Sequence, residues 1–201
     1  MLTPPILHTG RLILRPFNLE DASDVQRLAG ERDIAANTAV IPHPYEDGIA
    51  EEWIRSHKIS CENGTALNLA ITLKDNHDSQ ETILIGAISI SIDLKEKIGE
   101  LGFWIGKPYW NKGYCTEAAK EVLTYGLNNI KLKSIHAFHF GRNPASGRVL
   151  QKIGMQHEDS FPNAIEKWGK KEDLIKYNIQ SNVINSWYNI IYDKFLWLQL
   201  L

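Results

Sequence analysis

Residues 98–118 read IGELGFWIGKPYWNKGYCTEA. Ile98 to Ile105 has the composition of a strand, and GKPYWNKGYC (106–115) then leads into an amphipathic helix expected from Thr116 to about Asn128. A strand, a Gly-containing loop and a helix in that order leave the backbone N–H groups of Trp110 to Thr116 without internal partners, at the positive end of the helix dipole. Such a nest takes an anion, and Gly113 lets a phosphate approach the backbone with no side chain in the way. Thr116 either caps the helix or bonds the ligand; an ordinary βα turn is the equally open reading. Neither familiar phosphate loop fits. Counting from Gly106, Asn111 stands where a Walker loop needs its second Gly, and no G-x-G-x-x-G is present.

Outward from this unit, the chain alternates strands and helices. Arg11 to Arg15 reads as a short strand, and Asn18 offers an N-cap before Leu19, Ala22, Val25, Leu28 and Ala29 at helical spacing, with Gly30 as the stop. A second helix runs from about Ile49 through His57. Leu67 to Leu73 and Ile83 to Ile92 are strands joined by the polar stretch 74–81, hence a hairpin. Beyond the central helix lie a strand at Ser134 to Phe140, a helix from about Pro144 to Ile153 ended by Gly154, and two last strands near Gln156 and at Leu174 to Ile179. The order is a mixed α/β (α+β) single domain over residues 1–180, with no repeat and no low-complexity tract. Residues 181–201 form an amphipathic C-terminal extension. Its Ile184, Trp187, Ile191, Phe195 and Leu198 share a helical face, interrupted too often by polar residues for a membrane span. The face is expected to pack on its own domain or to join a second copy as a homo-oligomer, since its polar side is not basic enough for a membrane surface.

The chain has 201 residues, 43% hydrophobic and 23% charged, which is ordinary globular usage and length enough to bury roughly 70% of the unfolded surface. A net charge of −2 gives no field to gather nucleic-acid phosphates. Cys61 and Cys115 form no C-x-x-C pair, and the N-terminus has no basic stretch followed by an apolar run, so a reduced, cytoplasmic setting is expected. No metal is expected either: His136 and His139 lie on opposite faces of one strand and no other ligand falls at a suitable spacing. Trp53, Trp104 and Trp168 are expected as core or pocket walls.

Four segments in order, TGRLILRPFNLEDA (9–22), ELGFWIGKPYWNKGYCTEA (100–118), NPASGRVLQKIGM (143–155) and EDLIKYNI (172–179), make the chain resemble a GNAT-superfamily acyl-CoA N-acetyltransferase, in the branch that includes the ribosomal-protein N-terminal acetyltransferases. The resemblance implies a GNAT-like central, mostly antiparallel twisted sheet, splayed at the cofactor site and flanked by helices. The family's pyrophosphate motif [RQ]-x-x-G-x-[GA] falls on Trp110 to Cys115, with Cys115 in place of the usual Gly or Ala. By this resemblance the amides of Lys112, Gly113, Tyr114, Cys115 and Thr116 hold the pyrophosphate of acetyl-CoA. The strand edge at Phe103, Trp104 and Ile105 pairs with the pantetheine arm, and Asn143 contacts it. Many members carry a Tyr seven residues after that Asn to protonate the thiolate; here Leu150 stands there.

Acetyl transfer to an amine needs a base, an oxyanion donor and a tolerable leaving group. Glu100 matches a strand position that carries the base in some relatives, and is equally readable as a solvated strand-edge carboxylate. Ser146, on the first turn after Asn143, can protonate the leaving thiolate or serve as a helix N-terminal Ser. The implied activity is acetyl transfer from acetyl-CoA to a primary amine, either a peptide N-terminus or a small molecule, with Asn37, His43, Pro44 and Tyr45 near the acceptor. The competing class is a non-catalytic acyl-CoA-binding or assembly module, to which Leu150 and the tail lend weight. The Cys115 thiol is pulled down by the helix dipole and up by burial, and burial is the stronger expectation.

Overall fold

The computed structural model describes residues 3–74 and 82–181. The central part of the hairpin connector and, beyond Ser181, the amphipathic extension expected at the C-terminus lie outside the described residues.

An eight-stranded sheet carries the fold. In chain order its strands are β1 (Leu7–His8), β2 (Leu12–Arg15), β3 (Ala66–Leu73), β4 (Ile83–Asp93), β5 (Ile98–Ile105), β6 (Ser134–Phe140), β7 (Gln156–Lys167) and β8 (Lys170–Gln180). Their spatial order is β1-β2-β3-β4-β5-β6-β8-β7, and every neighbouring pair is antiparallel except β5 with β6. Five helices flank it: α1 (Ala22–Ala29), α2 (Arg32–Ala36), α3 (Ile49–Glu62), α4 (Tyr114–Asn128) and α5 (Pro144–Lys152).

Alternation along the strands divides the core between the two faces. One face takes Leu67, Leu69, Ile71, Ile85, Ile88 and Ile90 and is covered by Ala118, Ala119, Val122 and Leu123 of α4 and Leu150 of α5. The other takes Ala70, Leu84, Ala87 and Trp104 and is covered by Val25 and Leu28 of α1, Ile34 of α2, and Ala50 and Ile54 of α3. Arg15 and Asp21 lock α1 to β2 through two parallel bonds, Nη1 to Oδ2 at 2.7 Å and Nη2 to Oδ1 at 2.8 Å. The Asn18 amide also donates to Asp21 at 2.8 Å, so the expected cap at Asn18 opens a single 3₁₀ turn, Leu19–Asp21, before α1 begins.

Three boundaries differ from the sequence reading. The central helix begins at Tyr114 rather than Thr116, because Gly113 with φ +78° turns the chain straight into helical geometry and is itself the N-cap. Helix α3 runs five residues past His57. The last two strands are much longer than read and form one hairpin; β7 is an edge strand, where Pro162 costs no ladder bond. Helix α2 was not expected at all.

The feature that positions the site is the pairing of β5 with β6. It holds only for Ile98–Ser134, Gly99–Ile135 and Glu100–His136, after which β5 stays with β4 as far as Ile105–Gly86 and β6 stays with β8 as far as Phe140–Leu174. The two parallel strands therefore splay beyond Glu100 and His136.

Candidate active site

The splay exposes backbone donors and acceptors. The Gly106 N–H bonds the Ile85 carbonyl at 2.8 Å, which makes Ile105–Gly86 a non-hydrogen-bonded antiparallel pair. By the alternation of such ladders, Trp104 turns its backbone groups toward β4, whereas Phe103 and Ile105 turn theirs toward the gap. The Ile105 carbonyl is already taken by the indole N–H of Trp110 at 2.5 Å. Phe103 is left as a residue whose N–H and C=O face the opening with no partner on β4.

At the end of β5 the loop 106–113 turns into α4. Asn111 and Gly113 both have positive φ, 59° and 78°, which the short Asn side chain and Gly tolerate. The first intrahelical bond of the turn is Glu117 N–H to the Gly113 carbonyl at 3.1 Å, and no side chain caps the helix, so the amides of Tyr114, Cys115 and Thr116 point outward. Thr116 is the third helical residue and not the cap. The loop is braced from the turn between β1 and β2: Glu117 accepts from Thr9 Oγ1 at 2.6 Å, from the Arg11 backbone N–H at 2.8 Å and from Arg11 Nε at 2.7 Å, while Arg11 Nη1 donates to the Lys112 carbonyl at 2.9 Å. Arg11 also lies over the Tyr114 ring at 4.5 Å. Burial pushes the Cys115 thiol well above its ordinary value.

Where the strands part, His136 Nε2 meets Glu100 Oε2 at 3.2 Å. This hydrogen bond holds the Glu100 carboxyl below its ordinary range, against the opposing effect of burial. Across the mouth of the splay, Asn143 caps α5: its Oδ1 accepts from the Ser146 N–H at 3.3 Å and its Nδ2 donates to Ser146 Oγ at 3.0 Å. Because Ser146 Oγ accepts that bond, its own O–H is free to donate elsewhere. Leu150, one turn on, is fully buried in the core, so the acid cannot come from that position.

A cleft of about 580 Å³ brings Glu100, Phe103, Trp104 and Ser146 together, with Asn68, Ser89 and Ser91 on its floor and Phe17, Tyr45, Ile49 and Trp53 along one wall. Asn37 and Tyr45 line it as expected. His43 and Pro44 do not: His43 Nδ1 donates to the Gly30 carbonyl at 3.2 Å and its ring faces Trp168 at 6.0 Å. Trp168 is neither core nor pocket wall, being 47% exposed beneath Arg32 and Lys167, because it sits in the tight β7–β8 turn. Among the described residues no three His, Cys, Asp or Glu gather as metal ligands, and no helix is long and apolar enough to cross a membrane.

His136 escaped the sequence reading because its partner is reached through a parallel pairing set by α4, which leaves no local trace. Lys167 escaped it too. This nearly buried residue donates from Nζ to the Ala39 and Ile41 carbonyls at 3.3 and 3.0 Å, fastening the cleft-lining connector between α2 and α3 to the β7–β8 hairpin.

A mostly antiparallel sheet flanked by helices, opened between two parallel strands beside an uncapped helix N-terminus, is the architecture of the GNAT acetyltransferases. The chain belongs to that family: the model described as "Acetyltransferase (GNAT) domain" matches residues 11–156. It is 30% identical over 171 residues to the uncharacterized N-acetyltransferase YnaD of Bacillus subtilis, covering 85% of this chain and 94% of that one. Among solved structures, a GNAT-family acetyltransferase from Bacillus anthracis matches with a TM-score of 0.75 at 27% identity, over 89% of this chain and 99% of that one. The microcin C7 self-immunity acetyltransferase MccE, solved with acetyl-CoA and AMP, shares the fold with a TM-score of 0.77 at 21% identity, over 89% of this chain and 98% of its own. So does the ribosomal-protein-S5-alanine acetyltransferase of Vibrio fischeri, with a TM-score of 0.76 at 18% identity, over 88% of this chain and 97% of its own.

Proposed function

We propose that the protein transfers an acetyl group from acetyl-CoA to a primary amine by direct attack. The observation that carries this is the meeting of Glu100 and His136 at the last pair before the splay, in a cleft that also holds Phe103 and Ser146. The amides of Lys112 to Thr116 and the α4 dipole take the pyrophosphate, Phe103 pairs with the pantetheine, and Asn143 keeps Ser146 oriented at the sulfur end.

The neutral amine attacks the thioester carbonyl, and the oxyanion is met by a backbone N–H of the splayed edge. The nitrogen becomes strongly acidic as the C–N bond forms, and Glu100, ionised and aimed by His136, accepts its proton directly or through water. The C–S bond then breaks, and the electron pair leaves on sulfur, which takes a proton from solvent or from Ser146 Oγ as Ser146 is itself reprotonated from solvent, and Glu100 then releases its proton to water. Amide, CoA thiol and one proton released from the original ammonium balance the reaction. A reduced compartment supplied with acetyl-CoA, the cytoplasm, suits this chemistry.

Thiol release from acetyl-CoA with a panel of primary amines, beside calorimetric titration with CoA, tests the proposal. Amine-dependent thiol release supports it. CoA binding with no release from any amine favours a non-catalytic binding module, and equal affinity for pantetheine fragments lacking the pyrophosphate removes the loop assignment.

A further inference from the structure

We infer that the acceptor is an uncharged-bodied primary amine carrying an aromatic ring and no acidic group, an inference that rests on the acetyl-transfer reading above. The cleft's walls decide this. Phe17 ahead of the 3₁₀ turn, Tyr45 of the connector before α3, Trp53 of α3 and Trp104 of β5 pack in one cluster along the cleft, and Phe17 and Trp53 meet edge to face with ring centroids 5.0 Å apart. Among the described residues lining the cleft there is no Lys or Arg, Glu100 is the one carboxylate, and the one imidazole, His139, is held through Nδ1 to the Phe140 carbonyl at 2.8 Å.

The two cations that reach the connector beside that wall are already engaged. Lys167 is spent on the Ala39 and Ile41 carbonyls. Arg142 donates to the Ala36 carbonyl at 2.5 Å, to Asn37 Oδ1 at 3.1 Å and to Glu172 Oε1 at 2.8 Å. An acceptor bearing a carboxylate or phosphate beside its amine would bury that charge with no partner, which is costly. A polyamine finds only one carboxylate, Glu100, for its several ammonium groups, and the ring faces that could meet the others compensate a buried charge less well than a carboxylate does.

The geometry sets the position of the ring. Glu100, Gly102 and Trp104 point from the same face of β5, so Glu100 and Trp104 are about 13 Å apart along the strand. Gly102 leaves the floor between them open; a side chain there would meet Ser89 Oγ at 3.3 Å. An amine held at Glu100 and carried on a short alkyl linker places its ring against Trp104 and Trp53. Asn68, Ser89 and Ser91 beside the channel offer neutral hydrogen bonds to a ring hydroxyl or an amide.

The test compares phenethylamine and tryptamine with phenylalanine and tryptophan, which add only the carboxylate, and with spermidine. Phenylalaninamide and a dipeptide amide beginning with Phe separate a free amine from a peptide N-terminus; activity with either source supports the inference. We expect kcat/KM for the carboxylate-free aromatic amines to exceed that of the amino acids and of spermidine by roughly tenfold or more. Val40, 89% exposed at the cleft, tolerates substitution, and Val40→Arg should shift the ratio toward phenylalanine by supplying the missing cation. Calorimetric titration with CoA, and with each amine in the presence and absence of CoA, tells the two readings apart. Loss of CoA binding defeats acetyl transfer, whereas aromatic amines that neither turn over nor bind better than spermidine defeat the acceptor assignment. Phenylalanine or spermidine as the preferred substrate of the native chain overturns it as well.

Discussion

Substitution of Glu100 and of His136 separates a base from the residue that positions it. A general base positioned in the transition state contributes about 10²- to 10⁴-fold, or roughly 3–5 kcal/mol, so Glu100→Gln should lower kcat by that factor while leaving CoA affinity unchanged. His136 acts through one hydrogen bond to a carboxylate whose side chain is 54% exposed, so solvent screening limits its worth to about 1 kcal/mol, and His136→Phe should cost only several-fold. The pH profile discriminates more sharply than the rates. The His136 bond holds the Glu100 carboxyl below its ordinary value, so the base protonates, and kcat/KM falls, only at acid pH below the usual Glu range. Removing the imidazole lets that carboxyl rise, and the acidic limb in His136→Phe must move to higher pH; in Glu100→Gln it must vanish. The assay is initial-rate thiol release across the acid range with the amine held well below KM, so that the profile is that of kcat/KM, with CoA binding followed by calorimetry. An acidic limb unmoved in His136→Phe refutes the positioning role. Near-normal turnover of Glu100→Gln, with a rate that tracks only the amine's own ionisation, refutes the base and leaves proximity and the oxyanion donor as the whole of catalysis.

Gly113→Ala forces a Cβ into a left-handed conformation, at a cost of about 1–2 kcal/mol, and should lower Tm by several degrees and weaken CoA binding; unchanged melting and affinity would show that the loop relaxes freely. Asp21→Asn removes one partner from a largely buried bidentate pair and should cost about 3 kcal/mol, read as a lower urea midpoint at constant m-value, whereas a loss under 1 kcal/mol would mean that water replaces the carboxylate. The raised Cys115 thiol stays protonated at neutral pH, so its alkylation in the folded protein should be far slower than that of an unfolded control and should not depend on CoA; fast alkylation blocked by CoA would contradict the packing role.

What was legible in the sequence was local. Ile98–Ile105 and Ser134–Phe140 announce themselves by composition, and Pro144 with Gly154 brackets α5, because each signal lies within the element it defines. The start of α4 was misplaced by two residues, since a Gly in the left-handed region acts as the cap and no polar side chain marks the place. The β7–β8 hairpin was under-read for a similar reason. As an exposed edge, β7 has no buried face to impose alternation, and its register shifts near Pro162 and Asn163.

The acceptor end of the site was hidden for a different reason. Its connector, residues 37–48, owes part of its conformation to contacts made more than a hundred residues away. Arg142 bonds Ala36 and Asn37, and Lys167 bonds Ala39 and Ile41. These bonds fix which side chains of the connector face the cleft, and they also use up the cations that would otherwise greet an acidic substrate. The same two residues thus shape the pocket and leave its lining without a Lys or Arg. A relative that keeps the anion loop and Glu100 but loses either cation should consequently keep its CoA site and change its acceptor.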